Sequence, residues 1–321
     1  MKLNQLRDIV AIVDHGSLRA AARELDTPQA ALSKSVRALE RELGVELFAR
    51  EARGMVLTGL GKLFHQRASA VVNELRRAHD ELAQAQGEEG GQITVGLSIM
   101  PHVGMLPHAL PQFRQRYPRV KLQLVEGLFP ELEPRLRNGT LDFYLGAAPH
   151  TPPAPGLVST LLFENTRAVM ARKGHPLAQA QSLRELKGAD WATTSVDYRA
   201  EEDLQALFEA KRLPAPAVVL QAQSALSMMV ALASTDLLAL LPIQWAEFPL
   251  TRDVLMRIPL KERLRAPSIV MIRRPDLPLT PAAEFFCDVM NRHAPATDAG
   301  SSAGTVRPRR RVAAGRKGSA Q

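Results

Sequence analysis

The sequence predicts an α/β protein led by an all-helical head. Three observations carry that reading. Residues 1–57 repeat apolar side chains at helical spacing. Residues 59–86 hold a single apolar seam at alternating steps of four and three. From residue 92 onward, short apolar runs alternate with helical segments, the order of sheets with helices on their faces. The chain has 321 residues, room for two or three domains at roughly 100–200 residues each.

Leu3, Leu6, Ile9, Val10 and Val13 put one apolar stripe on a first helix, which His15-Gly16 ends. Ser17 is suited to cap a second helix over 18–25, whose Ala20-Ala21-Ala22 run admits close packing. Asp26 and Thr27 form a tight break. Thr27 as N-cap and Pro28 as first helical residue then start a third helix over 29–43, closed by Gly44 at C′. Its inward face is Ala31 or Leu32, with Val36, Leu39 and Leu43; its outward face carries Gln29, Ser33, Lys34, Arg37 and Arg41. Two short helices, a tight turn, and polar and basic residues on the second helix describe a helix-turn-helix. Gln, Lys, Ser and Arg are the side chains that reach base edges and phosphates. A small helical bundle with a basic solvated face has the same pattern. The segment 45–58 alternates around Gly54 as a β-wing would. Arg50 and Arg53 flank that turn, as phosphate or minor-groove contacts or as solvated charges.

Thr58 caps a helix running from Gly59 to about Gln86, about 40 Å long at 1.5 Å per residue. Its seam is Phe64, Ala68, Val71, Leu75, Ala78, Leu82 and Ala85. A long helix with one narrow apolar seam needs a partner. The same helix of a second chain is the economical one, through Phe64, Val71, Leu75 and Leu82; packing on the chain's own C-terminal part is the alternative. Gly87-Glu88-Glu89-Gly90-Gly91 reads as a hinge.

Beyond it, strands at 93–97, 120–125 and 141–146 enclose helices at 107–117 and 130–138, a βαβαβ order that implies a parallel sheet. Strands at 159–163 and 166–171 lead into a second block. It comprises helix 200–211, strand 218–221, helix 224–234, and strands 237–241 and 254–258. Strand 268–272 and helix 281–291 close it. After Ala294 the composition turns to Ala, Gly, Ser, Arg and Pro, that of a disordered tail.

Composition excludes several classes. Hydrophobic residues are 45% and charged residues 23%, ordinary for a globular protein. The single cysteine, Cys287, excludes an internal disulfide framework and Cys-cluster metal sites; beside Phe285 and Phe286 it reads as a buried thiol. The longest apolar stretches, 225–233 and 237–243, fall short of the ~18–20 residues of a membrane span. The N-terminus lacks an apolar signal-peptide core, so a cytoplasmic protein is expected. The net charge is +8, but residues 292–321 carry seven Lys/Arg against Asp298 alone, so the rest is only +2. Nucleic-acid binding therefore rests on pattern, not on charge. HExxH, GxSxG, P-loop and GxGxxG motifs are absent, and His102 and His108 do not share a helical face. No catalytic residue, metal or cofactor is expected. A transporter's solute-binding protein is the rival reading that two α/β blocks allow; the DNA-binding segment opposes it.

Several motifs together resemble LysR-type transcriptional regulators: Ser17-Leu18-Arg19-Ala20-Ala21-Ala22, Ala31-Leu32-Ser33-Lys34, Leu39-Glu40-Arg41-Glu42-Leu43-Gly44, Leu47-Phe48-Ala49-Arg50 and Leu57-Thr58-Gly59-Leu60-Gly61. The likeness continues through Glu126-Gly127, Arg137-Asn138-Gly139-Thr140-Leu141-Asp142-Phe143 and Gly174-His175-Pro176-Leu177. The run from Arg274 to Pro281 is most similar to the branch with the toluenesulfonate-degradation and galactose-binding-protein regulators. The resemblance covers residues 1 to about 293.

It implies a winged helix-turn-helix over 1–58, a dimerising linker helix over 59–87 and a hinge over 88–91. A two-lobed effector domain, built like a periplasmic binding protein, would follow over 92–293. Lobe I would be 92–164 with 265–293, lobe II 165–264, and 294–321 the basic tail. The implied partners are promoter DNA, a small effector in the cleft between lobes, further copies of the chain (dimers, and tetramers as dimers of dimers) and RNA polymerase. No cofactor and no membrane are implied. The base-reading positions map onto Gln29, Ser33 and Lys34, supported by Arg37, Arg50 and Arg53; Pro28-Gln29-Ala30 stands where the family has Ser-Gln-Pro. Ser98 matches the family's effector-contacting serine, followed by Ile99 and Met100. Phe129 stands where a hydroxyl residue is usual, Thr194 and Ser195 would face it from lobe II, and Ser224 starts a helix nearby. An apolar Phe129 wall favours an aromatic carboxylate or sulfonate, with sugar-related effectors still open.

Overall fold

The computed structural model describes residues 1–51, 54–86, 90–194 and 200–295. Arg53, Ser195, most of the expected hinge and the basic tail lie outside them, as does the side chain of Arg50.

The N-terminal unit packs α1 (Leu3–Asp14), α2 (Leu18–Glu24) and α3 (Gln29–Leu43) around Ile9, Ile12, Ala21, Leu32, Val36 and Leu39. The apolar spacing in each helix makes one face for this core. Ser17 caps α2, its Oγ accepting from the Ala20 N–H at 3.1 Å. Gly44 ends α3 in the left-handed conformation, at φ 70°, which a side chain would resist. One cap differs from expectation. Pro28, not Thr27, is the N-cap of α3. The Thr27 hydroxyl instead donates to the Leu25 carbonyl at 3.0 Å, because Asp26, at φ 46°, turns the chain back towards α2. The wing is the antiparallel pair β1 (Phe48–Glu51) and β2 (Gly54–Leu57). Glu40 ties it to α3: its Oε1 accepts from the Leu47 and Phe48 N–H groups at 2.8 and 3.1 Å.

Thr58 caps α4 (Gly59–Ala85), accepting from the Gly61 N–H at 2.9 Å. The apolar seam of α4 is divided between partners. Phe64 packs against the helical core of its own chain and Ala68 is buried, whereas Val71, Leu75 and Leu82 are exposed. Phe64 therefore does not belong with the other three on a free face. At the junction with α1, burial lowers the pKa of His65 and raises that of Asp14, with each charge partly offsetting the shift of the other.

The second half of α4 is clamped onto the domain that follows. The Arg77 side chain is 5% exposed and that of Asp142 3%. Arg77 Nε donates to Asp142 Oδ1 at 2.6 Å, and Nη2 donates to the carbonyls of Gly139 and Leu141. Asp142 Oδ2 accepts in turn from the Thr94 N–H at 2.7 Å. Asn73 donates to the Asn138 carbonyl at 3.1 Å, and Gln84 accepts from the Ala282 N–H at 3.0 Å.

That domain has two lobes. The first holds β3 (Gln92–Leu97), β4 (Lys121–Glu126), β5 (Phe143–Ala147), β6 (Val158–Phe163) and β13 (Ile269–Arg273), in the order β4-β3-β5-β13-β6. β3 runs parallel to β4 and β5, as the βαβαβ order requires, and β13 is antiparallel to β5 and β6. One face is covered by α5 (Ile99–Gly104), α6 (Leu106–Arg116) and α10 (Pro281–Arg292), around Phe113, Phe143 and Phe286. α7 (Phe129–Arg137) covers the other. Cys287 is buried in the first of these cores, and its burial pushes the thiol pKa up to about 11.

The second lobe holds β7 (Thr166–Arg172), β8 (Asp190–Thr194), β9 (Ala217–Ala222), β10 (Leu238–Pro242), β11 (Leu255–Arg257) and β12 (Leu264–Arg265). Their order is β11-β7-β10-β8-β9, with β12 beside β7. α8 (Ala200–Glu209) and α9 (Ala225–Ser234) pack on this sheet, and Trp191 meets Phe208 edge-on at 5.6 Å. The chain passes between lobes twice, at 164–165 and after Arg265, where the Ala266 N–H donates to the Asn165 carbonyl at 3.2 Å. Ile99 and Val103 of α5 press across onto the second lobe's core. Among the described residues no helix is long and apolar enough to cross a membrane.

The clamp predicts an asymmetry. Arg77→Ala strands a buried carboxylate and should cost about 3–5 kcal/mol. Glu74→Ala removes a solvent-exposed partner of the same arginine, 3.3 Å away, and should cost under about 1 kcal/mol. Urea unfolding of the two variants beside the parent checks both.

Candidate DNA-binding surface and effector cleft

The face of α3 opposite Leu32, Val36 and Leu39 is open. Gln29, Lys34, Arg37 and Arg41 are exposed and Ser33 is half-buried. Ser33, Lys34, Arg37 and Arg41, with Ala30, Glu40 and the segment 44–46, border a shallow groove. Ser35 is held differently, its hydroxyl donating to Asp8 of α1, which fixes α3 against the helix before it.

The second site is a cavity of about 270 Å³ where the two lobes meet. It lies at the C-terminal ends of β3, β5, β8 and β9, where open α/β sheets bind ligands. Lobe I contributes Ser98, Ile99, Met100, Glu126, Gly127, Leu128, Glu131 and Ala147; lobe II contributes Arg167, Thr193, Thr194, Asp203, Leu204 and Gln223; the crossing segments contribute Asn165 and Pro267. Ser98 Oγ accepts from the Ala147 N–H at 3.2 Å, and the Ser98 N–H donates to the Leu145 carbonyl at 3.1 Å. A hydroxyl that accepts from the backbone keeps its own proton to donate. Gly146 leaves room for this arrangement, since a Cβ there would lie 2.7 Å from Ser98 Oγ.

Across the cleft Thr193 is 6% exposed, and its hydroxyl has no hydrogen-bond partner among the described residues. Arg167 donates through Nη1 and Nη2 to Asp203 Oδ2 at 3.3 Å and through Nε to the Arg265 carbonyl at 2.9 Å. Burial pulls the Arg167 pKa below its usual value, and Asp203 opposes that shift. Glu126 of lobe I reaches lobe II, accepting from the Ala225 N–H at the start of α9 at 3.1 Å.

The family model for the LysR substrate binding domain matches residues 86–295, and that for bacterial regulatory helix-turn-helix proteins of the lysR family matches residues 3–62. The chain belongs to the LysR family.

This LysR-type regulator therefore joins a DNA-binding domain to an effector-binding domain. It is 28% identical over 280 residues to the HTH-type transcriptional regulator GalR of Pseudomonas putida, covering 87% of this chain and 70% of that one. It is 32% identical over 200 residues to the Hca operon transcriptional activator HcaR of Escherichia coli, covering 62% and 67%. A full-length OxyR variant of Pseudomonas aeruginosa superposes with a TM-score of 0.69 at 23% identity, over 90% of this chain and 94% of that one. Full-length CbnR complexed with its target DNA superposes at 0.65 and 21% identity, over 92% and 100%. These likenesses bear out the fold: a winged helix-turn-helix, a linker helix and a two-lobed α/β domain.

Of the residues expected in the regulator's cleft, Ser98, Ile99, Met100 and Thr194 line it. Thr194 stands at the end of strand β8. Phe129 does not line it. At 2% exposure it packs on Tyr144, ring centroids 5.7 Å apart, in the core under α7, because the first residue of that helix turns back onto the lobe I sheet. Gly127 and Leu128 form the wall instead. Ser224 caps α9, its Oγ accepting from the Ser227 N–H at 3.1 Å, and its neighbour Gln223 takes the cleft position. The sequence reading missed Arg167, Asp203, Glu126 and Glu131. Glu126 carried a usable signal, ending a strand just before Gly127; Arg167 and Asp203, 36 residues apart, carried none.

The unpartnered hydroxyl predicts a stability gain. Thr193→Val keeps the shape and removes a buried polar group, so the ligand-free regulator should gain about 1 kcal/mol. Thermal melts of the two proteins without added ligand measure it.

Proposed function

We propose that this regulator reads its promoter with the outward face of α3 and reports on a small organic effector held between its lobes. The observation that carries this reading is the division of α3. Leu32, Val36 and Leu39 seat it in the core while Gln29, Ser33, Lys34 and Arg37 stay available to a major groove. Arg50 and Arg53, which the sequence puts either side of the Gly54 turn, would add backbone contacts. In the cleft the hydroxyls of Ser98, Thr193 and Thr194 suit the acidic head of a carboxylate or sulfonate, and Ile99, Leu128 and Leu204 suit its apolar body. Effector binding favours one of two lobe arrangements and so alters the spacing of the DNA-binding heads.

The protein works by binding, in the cytoplasm, and its output is the access of RNA polymerase to the promoter. Residues 1–58, 59–87 and 92–293 divide the labour as head, linker and sensor. Val71, Leu75 and Leu82 are exposed along one stripe of α4, which supports dimers through that helix; tetramers as dimers of dimers rest on the family resemblance.

Two measurements test this. Gln29→Ala should cost about 1–3 kcal/mol on the specific promoter and little on random DNA of equal length. Equal losses in fluorescence anisotropy would remove Gln29 from the base-reading set. Leu75→Asp should shift the protein to smaller species in sedimentation velocity; an unchanged distribution at low concentration would refute the seam.

A further inference from the structure

The carboxylates of the cleft are not balanced by its cations. Among the described lining residues Arg167 is the one basic side chain, against Glu126, Glu131 and Asp203. Asp203 already pairs with Arg167, and Arg167 also donates to the Arg265 carbonyl, so that guanidinium is largely committed. The Glu131 carboxylate has no hydrogen bond or ion pair among the described residues, and the Glu126 carboxylate has only the Ala225 N–H. Two carboxylates therefore face a ligand from lobe I with no opposing cation among the described residues. A ligand bearing negative charge alone enters against both of them. The opposite wall is different. There the Thr193 hydroxyl is buried without a partner, an unfilled donor on the lobe II side.

We propose that the effector is zwitterionic: an organic acid that also carries an ammonium group, the ammonium held by Glu126 and Glu131 and the acidic head by the hydroxyls of Ser98 and Thr193. This rests on the cleft being the effector site. Carboxylates and ammonium meet as charge-assisted hydrogen bonds, about twice as strong as neutral ones. The two requirements sit on separate walls, so a molecule with one charge satisfies only one of them. Occupation of Glu126 also bears on the lobes, because that carboxylate holds the start of α9. A ligand ammonium competes with the Ala225 N–H for it, and so couples charge recognition to the contact between lobes.

The test is calorimetric titration of the full-length regulator with matched probes: 3-phenylpropanoate (acid only), benzylamine (amine only), and phenylalanine and 4-(aminomethyl)benzoate (both charges, at two separations). At least one zwitterion should bind ten-fold or more tightly than the acid-only probe. Glu131→Gln, an exposed and near-isosteric change, should erase that preference, and Glu126→Gln should reduce it. Thermal melts confirm that each variant is folded. Equal binding of acid and zwitterion, a preference that survives both Glu→Gln changes, or no binding by any probe overturns the proposal. The acid-only probe separates the two levels of the argument. If it binds best and Ser98→Ala or Thr193→Val weakens it, the cleft stands and the ammonium assignment falls. If a probe binds and neither variant alters its affinity, the cleft reading falls as well.

Discussion

A guanidinium withdrawn from water needs acceptors for the N–H groups it turns inward, and Arg77 finds them on a single turn of lobe I. Asp142, Gly139 and Leu141 receive it, while Asp142 is itself fixed by the Thr94 backbone. Neither charge is tolerable alone at this depth, so the pair holds only while α4 lies flush against the first lobe. That constraint settles much else. It orients the second half of the linker, brings Asn73 and Gln84 to their own partners, and decides which stripe of α4 faces outward. The outward stripe then contains Val71, Leu75 and Leu82 rather than the whole apolar seam.

The same helix is held at its other end by apolar packing. Phe64 packs on the helical head's core, and the half-buried His65 and the exposed Asp14 lie where α1 meets α4. The linker is thus fixed by burial near the head and by a polar network near the lobe. Lobe II has no comparable network with it among the described contacts; it meets lobe I through two backbone crossings, α5 and the Glu126 hydrogen bond. The polar clamp and the looser lobe junction give the molecule one stiff joint and one that can adjust.

What could be read from the sequence was local. Ser17 and Gly44 end helices through their own backbone chemistry, and the βαβαβ order needs only periodicity, so both were legible. Ser98 could be found through the family resemblance, at the end of a buried strand. Directions across the fold could not. Phe129 starts a helix, and whether its ring meets the cleft or the core depends on how α7 seats on the sheet, which Leu132 and Leu136 decide together with Tyr144. Thr27 looked like a cap because the left-handed turn at Asp26 leaves no local trace. The partners of Arg77 lie more than 60 residues away, and Glu126 meets Ala225 across 99 residues. Such pairs become visible only when both lobes are built.

A 27-residue helix gripped at both ends is a rod about 40 Å long. Small angles at one end of a rod become distances at the other. A tilt of about 7° at Arg77, about 27 Å from the start of the helix, carries the head about 3 Å sideways, close to the ~3.4 Å between successive nucleotides of a DNA strand. The burial of Arg77 therefore sets a gear ratio: a displacement too slight to disturb either lobe's core is enough to move a recognition helix by one base-pair step.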